Sequence, residues 1–122
     1  MYEILIVGGG PAGLTAAIYA ARAGKHVAVL ERGSTGGQII SAPLVENYPG
    51  IPSVSGTELA RQMTEQACTF GAEIVYTEAV GLEKTLAGFR VLCTDGVREA
   101  KAVILATGAA HRSLGLAAED AL

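Results

Sequence analysis

The apolar positions in the first quarter of the chain form short continuous runs of strand length. Residues 4–7 and 26–30 are such runs, apart from the histidine that opens the second, and an alanine-rich stretch reaching Gly24 lies between them. Continuous apolar runs of this length are typical of strands buried on both faces of a parallel sheet. The pattern predicts a strand, a glycine turn, a helix and a second strand over residues 1–31.

A helical period returns after a long irregular segment. Ser55 and Glu58 have the spacing of a capping box, and Gly71 is suited to end the helix that they begin. The predicted buried face of this helix consists of apolar residues at helical spacing, namely Leu59, Met63, Ala67 and Phe70. Residues 73–76 then read as a short strand, the third parallel one after a helical crossover.

The period changes again after residue 76. Residues 79–83, 89–94 and 97–100 read as three short strands, and Asp95-Gly96 is a strong hairpin signal between the last two. Residues 102–106 read as a further, separate buried strand. The predicted fold class is α/β, a Rossmann-like parallel sheet with an inserted three-stranded antiparallel meander.

Residues 32–54 form an irregular segment rich in proline and glycine. A loop of this length in a compact domain is either functional or disordered. Its apolar residues argue against disorder: Ile39, Ile40, Leu44, Val45, Tyr48 and Ile51. We expect this segment to pack against something, for which a flat ligand is plausible.

The glycine turn after the first strand has the spacing of a dinucleotide site. Gly8 permits a tight turn, Gly10 lets the backbone approach a pyrophosphate, and Gly13 lets the helix pack closely on the strand. Glu31, at the end of the second strand, is placed to accept hydrogen bonds from a ribose diol. Thr107-Gly108 ends another predicted strand and is a second place for the backbone to approach such a ligand.

Composition narrows the class of protein. The chain has 122 residues, a net charge of −3 and scattered basic residues, so it has no electrostatic footprint for nucleic acid. We expect no membrane span, no secretory signal and a cytoplasmic protein. Cys68 and Cys93 are isolated, so no redox dithiol is expected, and neither histidine belongs to a cluster that suggests a metal site.

Several motifs together resemble the low-molecular-weight thioredoxin reductases of bacteria and plants, which are pyridine-nucleotide disulfide oxidoreductases. They are VGGGPAGLTAAIYAARAG at 7–24, GGQI at 36–39, VENYPG at 45–50, SGTEL at 55–59, FGAEI at 70–74 and AKAVILATGA at 100–109. The resemblance covers nearly the whole chain. It implies FAD as the cofactor of this fold, and glutamate at 31 would repel the 2′-phosphate of NADPH, an argument that Arg32 weakens without reversing.

Carried over to this sequence, the resemblance implies that GGQ lies along the cofactor and that the asparagine of ENYPG reaches toward the flavin. It also implies that the backbone of the first meander strand contacts the adenine. The predicted cofactor-binding residues are Gly8, Gly10, Gly13, Glu31, Arg32, Gly37, Gln38, Asn47, Val80, Thr107 and Gly108. No catalytic residue is predicted in this chain.

The sequence also departs from the family pattern. The resemblance implies a NADPH-binding domain with a second glycine motif and a C-x-x-C, then a returning FAD segment, and none of these occurs in residues 1–122. We expect residues 1–122 to be an N-terminal FAD-binding half-domain of a homodimeric, NADPH-dependent thioredoxin-disulfide reductase that passes electrons to thioredoxin. The alternatives are a related flavoprotein reductase with another donor or acceptor, and a non-catalytic FAD-binding module.

Overall fold

The computed structural model describes residues 1–109, in which strands and helices alternate over the first two thirds. The elements are β1 (Tyr2–Val7), α1 (Pro11–Arg22), β2 (Val27–Glu31), a 3₁₀ helix (Gly37–Ser41), α2 (Gly56–Thr69), β3 (Glu73–Tyr76), β4 (Ala79–Lys84), β5 (Phe89–Cys93) and β6 (Gly96–Leu105). Every element predicted from the sequence is present, although one strand boundary is not where we predicted it.

The strands of the described region form one six-stranded mixed sheet in the order β3-β2-β1-β6-β5-β4. The strands β3, β2, β1 and β6 pair in parallel, whereas β5 pairs antiparallel with both β6 and β4. The helices α1 and α2 are the crossovers that bring successive parallel strands side by side. The predicted α/β class and Rossmann-like arrangement are therefore confirmed.

The boundary predicted between residues 97–100 and 102–106 is wrong. Both segments belong to β6, which runs without a break from Gly96 to Leu105. Ala100 marks the change of partner, because it is in register with Phe89 on one side and with Tyr2 on the other. The meander is thus joined to the parallel sheet through β6, a strand that both parts share.

The two faces of the sheet are covered by different elements. Ile6, Val27 and Val29 form a buried cluster with the apolar faces of the helices, which are mostly alanine and so permit close packing. Leu5 and Leu30 point to the opposite face and are buried together with residues of β5 and β6: Val91, Cys93 and Ala100. The meander therefore folds back over the face of the sheet that the helices leave open.

The N-terminus of α2 has half of the predicted capping box. The Ser55 hydroxyl accepts the Glu58 amide at 3.1 Å, as the capping box predicts, but the Glu58 carboxylate accepts hydrogen bonds from Arg61 and Gln62 instead of returning to Ser55. Arg61, and then Gln62, lower the pKa of Glu58 to about 2. Because its pKa is lower in the folded protein, the Glu58 carboxylate stabilises the fold at pH values above its ordinary pKa. This contribution is lost as the pH falls toward 2.

The prediction that Phe70 belongs to the buried face of α2 is wrong. Leu59 and Ala67 are buried and Met63 packs against the same core cluster. Phe70, however, is 43% exposed. The Arg22 guanidinium carbon lies over its ring, 5.5 Å from the centroid of the Phe70 ring. Phe70 is the C-terminal cap of α2, directly before Gly71 (φ 106°), so the chain has already turned away from the core.

The outer half of β6 leaves a strand edge open within residues 1–109. Its pairing with β5 ends at Ala100, whereas its pairing with β1 continues to Leu105, whose side chain is 65% exposed. Because unpaired strand edges with apolar side chains pair with other chains, we expect the 122-residue chain to self-associate. Size-exclusion chromatography with light scattering over a range of concentrations measures this.

Charged edge residues oppose such pairing, so Leu105→Lys is expected to shift the 122-residue chain toward the monomer. Leu86→Lys is the matched control, because Leu86 is fully exposed beyond β4. A wild-type chain that stays monomeric at all concentrations would show that something covers this edge.

Candidate functional site

A cleft of about 340 Å³ lies at the carboxyl edge of the parallel strands. In parallel sheets the strand ends and the loops that follow them form the binding edge. Six of the predicted residues line this cleft. They come from the end of β2, from the loops after β1, β2 and β6, and from the 3₁₀ helix: Gly8, Glu31, Arg32, Gly37, Gln38 and Thr107. The fold thus brings together segments that are far apart in the sequence.

Two glycines of the turn after β1 are required by the fold itself. Gly8 has φ 110°, and a side chain there would collide with the Ala106 carbonyl oxygen in the segment after β6. A Cβ at Gly13 would collide with the Gly8 carbonyl oxygen and would lie 3.3 Å from Ile6. Gly13 therefore allows α1 to approach β1, as the sequence predicts.

Gly10 differs from Gly8 and Gly13 because nothing within residues 1–109 requires a glycine there. Its φ of −77° and ψ of −171° suit any residue, and the nearest atom to an added Cβ would be the Gly37 Cα at 3.7 Å. Gly10 is the N-terminal cap of α1 and Pro11 occupies its first turn, so the N-terminal end of the helix dipole faces this region. The open space at Gly10 therefore fits a ligand that approaches the backbone closely.

The Glu31 carboxylate is held in place by two backbone amides. One oxygen accepts the Gly9 N–H at 2.9 Å and the other accepts the Gly33 N–H at 2.7 Å. Each carboxylate oxygen can accept more than one hydrogen bond. Glu31 thus presents fixed acceptors at the end of β2, where the sequence analysis places the ribose of a nucleotide.

These contacts give Glu31 a structural role that its sequence position alone does not reveal. Glu31→Ala is expected to lower the free energy of unfolding by about 1–3 kcal/mol, because the buried Gly9 amide loses its acceptor. Urea unfolding followed by circular dichroism measures the change. Glu46→Ala, at an exposed position of the 42–54 segment, serves as control. Equal stability of the two variants would mean that water replaces the carboxylate at no cost.

One wall of the cleft was not predicted from the sequence. It consists of Thr77 and Glu78, which connect β3 to β4, and of Ala79, the first residue of β4. The Thr77 amide donates to the Glu31 carbonyl at 3.0 Å, and its hydroxyl donates to Asp95 at 2.6 Å. The only available signal was positional, since side chains that follow neighbouring parallel strands meet at one edge.

Asp95 in turn is held by Arg98, through hydrogen bonds of 2.8 and 3.2 Å to its two oxygens. Arg98, and then the Thr77 hydroxyl, hold the pKa of Asp95 well below its usual range. The stabilisation that comes from this carboxylate is therefore present at neutral pH and lost only in strong acid.

Three further predicted residues are not among those that line the cleft. Asn47 is exposed in the 42–54 segment, and Val80 is 63% exposed on β4, next to Ala79, which does line the cleft. Gly108 follows Thr107 with φ 73°. A hydrogen bond of 2.6 Å from the Gln38 side chain to the Ala109 carbonyl joins the 3₁₀ helix to this last segment.

Other kinds of site find no support in the part of the chain that the structure describes. Residues 1–109 contain no group of three or more potential metal ligands among His, Cys, Asp and Glu. Cys68 is exposed, Cys93 is buried and both are free thiols. None of the helices described is long and apolar enough to span a bilayer. His111 lies outside the described residues.

Comparison with known proteins identifies the family. The sequence model of the pyridine nucleotide-disulphide oxidoreductases matches residues 2–121. The chain belongs to this family. Membership implies a flavin cofactor and fits the glycine turn, the fixed carboxylate and the strand-edge cleft described above.

Within this family the chain is similar to thioredoxin reductases. It is 41% identical to that of Listeria monocytogenes over 122 residues, which are 100% of this chain and 38% of the relative. The thioredoxin reductase of Treponema pallidum is 44% identical over 120 residues, 98% of this chain and 39% of the relative. The chain therefore spans about two-fifths of the length of these proteins.

The fold agrees with solved structures of the same kind. The chain superposes on the Lactococcus lactis thioredoxin reductase in its FR conformation with a TM-score of 0.92 and 38% identity, over 98% of this chain and 40% of that one. The resemblance to thioredoxin reductases that the sequence motifs indicate is thereby confirmed.

Proposed function

We propose that this chain is the FAD-binding part of a NADPH-dependent thioredoxin-disulfide reductase. The observation that carries the proposal is the cleft at the carboxyl edge, where the turn at Gly8–Gly13, the fixed Glu31 carboxylate and Thr107 converge. Similarity to thioredoxin reductases over the whole chain supports the same assignment. We propose that residues 1–122 are a half-domain completed by further segments of the whole protein.

The residues fit a dinucleotide with a flavin at one end. The open space at Gly10 and the N-terminus of α1 would receive the pyrophosphate, since free amides and the helix dipole favour negative charge there. Glu31 would accept hydrogen bonds from the adenosine ribose and would disfavour a 2′-phosphate. Gln38 and Asn47 would lie toward the flavin, and the backbone at Val80 toward the adenine.

The chemistry of the proposed reaction belongs to the cofactor. The isoalloxazine would take hydride from NADPH and pass electrons to a redox disulfide and on to thioredoxin. This chain would bind and orient the FAD, and we propose no catalytic residue within it. We further propose a homodimer in the cytoplasm, where free thiols such as Cys68 and Cys93 stay reduced.

The complete gene product tests this proposal. We expect it to be purified with bound FAD, identified by chromatography after acid release, and to catalyse NADPH-dependent reduction of a thioredoxin disulfide. Substituting NADH or reduced ferredoxin for NADPH tests for another donor. A product that binds FAD but uses a different donor or acceptor would support a related reductase, and one that binds no flavin would overturn the proposal.

A further inference from the structure

The wall formed by Thr77, Glu78 and Ala79 is tied to the rest of the protein at both ends of its backbone. The Thr77 amide donates to the Glu31 carbonyl at 3.0 Å, and the Glu78 carbonyl accepts the Thr94 amide at 2.9 Å. These bonds join the wall to the end of β2 on one side and to the end of β5 on the other. The position of the wall therefore depends on the end of β2 and on the end of β5.

The side chain of Thr77 makes the third connection. It is 7% exposed, and its hydroxyl donates to Asp95 Oδ1 at 2.6 Å, across a separation of 18 residues. A hydroxyl with so little access to water costs stability unless it is hydrogen-bonded. Thr77 and Asp95 therefore favour one relative position of the cleft wall and the β5–β6 turn.

Asp95 is itself fixed by its place in the hairpin. Gly96, which follows it, has φ 141°, as a tight turn requires. Arg98 donates one hydrogen bond to each oxygen of the Asp95 carboxylate. Paired hydrogen bonds of this kind restrict the orientation of a carboxylate more than one bond does. The acceptor of the Thr77 hydrogen bond is therefore held in place by contacts that do not involve Thr77, although Asp95 and Arg98 do not line the cleft.

We infer that Thr77 and Asp95 are positioning residues that set the cleft wall for the adenosine half of the cofactor. The wall lies beside Glu31, which the proposed function assigns to the adenosine ribose, so the inference rests on that function. Asp95 would act through Thr77 and would not touch the ligand. Affinity for adenine nucleotides would therefore depend on a carboxylate in a hairpin outside the cleft.

The test measures ADP and FAD affinity by titration calorimetry in the complete gene product freed of flavin. Thr77→Val and Asp95→Ala are expected to weaken both affinities about tenfold, the usual effect of losing one strong hydrogen bond. Thr77→Ser keeps the hydroxyl donor, so it is expected to restore most of the affinity. Asp95→Asn keeps an acceptor for Thr77 but loses one hydrogen bond from Arg98, so it is expected to restore only part of the affinity. Glu99→Ala is the matched control, because it removes a carboxylate of β6 that pairs with Arg90 instead.

Hydrogen exchange supplies a measurement that does not depend on any ligand. In Thr77→Val and Asp95→Ala we expect faster exchange in the peptide containing residues 77–79 and unchanged exchange in β1 and α1. Local loosening together with weaker ADP binding supports the inference. Loosening with wild-type ADP and FAD affinity overturns it, as does weakening that Asp95→Asn shares in full or that Glu99→Ala reproduces.

The wild-type protein separates this inference from the proposed function. If the wild type binds neither ADP nor FAD, the proposed function fails and the inference falls with it. If the wild type binds both ligands and the Thr77 and Asp95 variants bind them equally well, the proposed function stands and the inference alone is wrong. Exchange that speeds up throughout β1 and α1 would indicate general destabilisation and would also contradict a positioning role.

Discussion

Gly13→Ala is expected to lower the free energy of unfolding by about 3 kcal/mol or more, a large part of the stability of a small domain. The added methyl group would collide with the Gly8 carbonyl oxygen and would lie 3.0 Å from the Gly8 carbonyl carbon. These are backbone atoms of the turn, so no side chain can move aside to relieve the contact. Relief requires α1 to move away from β1, which opens the core that contains Leu14 and Ala17.

Gly10→Ala is the matched control for this prediction, since it makes the same chemical change three residues earlier. Its methyl group would meet no atom closer than 3.7 Å, and the backbone of Gly10 is in an ordinary conformation. Urea unfolding of both variants, followed by circular dichroism, should show a large loss of stability for Gly13→Ala alone. Comparable stability of the two variants would contradict the close packing of α1 on β1.

The parts of the fold that were predicted from the sequence depend on local signals. The turn at Gly8–Gly13 and the Ser55 cap each specify a backbone conformation within a few residues, and the structure has both. The spacing of Leu59 and Ala67 likewise identifies the buried face of α2. Signals of this kind can be recognised from a few neighbouring residues, without knowledge of the rest of the fold.

The features that were not predicted depend on contacts between distant residues. No residue in 99–101 indicates that β6 continues, because its continuity results from pairing with β1 and β5 in succession. The hydrogen bond from Thr77 to Asp95 similarly requires the meander to fold over the sheet. Aspartate is a typical turn residue, so the hairpin alone accounts for its presence at position 95. The sequence therefore does not indicate a contact between Asp95 and the cleft wall.

The irregular segment 32–54 was predicted only in outline. It contains a 3₁₀ helix (Gly37–Ser41), and bridges between Val45 and Val54 and between Tyr48 and Ile51, so it is more ordered than its composition suggests. Its apolar side chains nevertheless remain substantially exposed, with Leu44 at 53%. Part of the segment packs on α2, where the Thr64 hydroxyl donates to the Thr35 hydroxyl at 2.9 Å. A ligand that covers the exposed apolar residues stays a prediction.

Gly10→Ala is expected to leave the fold intact and to weaken FAD binding by at least about tenfold, or about 1.4 kcal/mol. The structure gives no internal reason for a glycine at this position, in contrast to Gly8 and Gly13. A close approach of the pyrophosphate to the backbone supplies the reason, because a methyl group would hold the phosphates away from the amides at the start of α1.

Titration of the flavin-free gene product with FAD, ADP and adenosine measures this effect and locates it. Gly10→Ala should weaken binding of FAD and ADP, which contain the pyrophosphate, while adenosine binding should stay near that of the wild type. Leu86→Ala is the control, because Leu86 is fully exposed beyond β4, away from the proposed phosphate position. Unchanged FAD affinity in a folded Gly10→Ala protein would mean that the pyrophosphate does not pass over Gly10, and the assignment of the glycine turn would then be wrong.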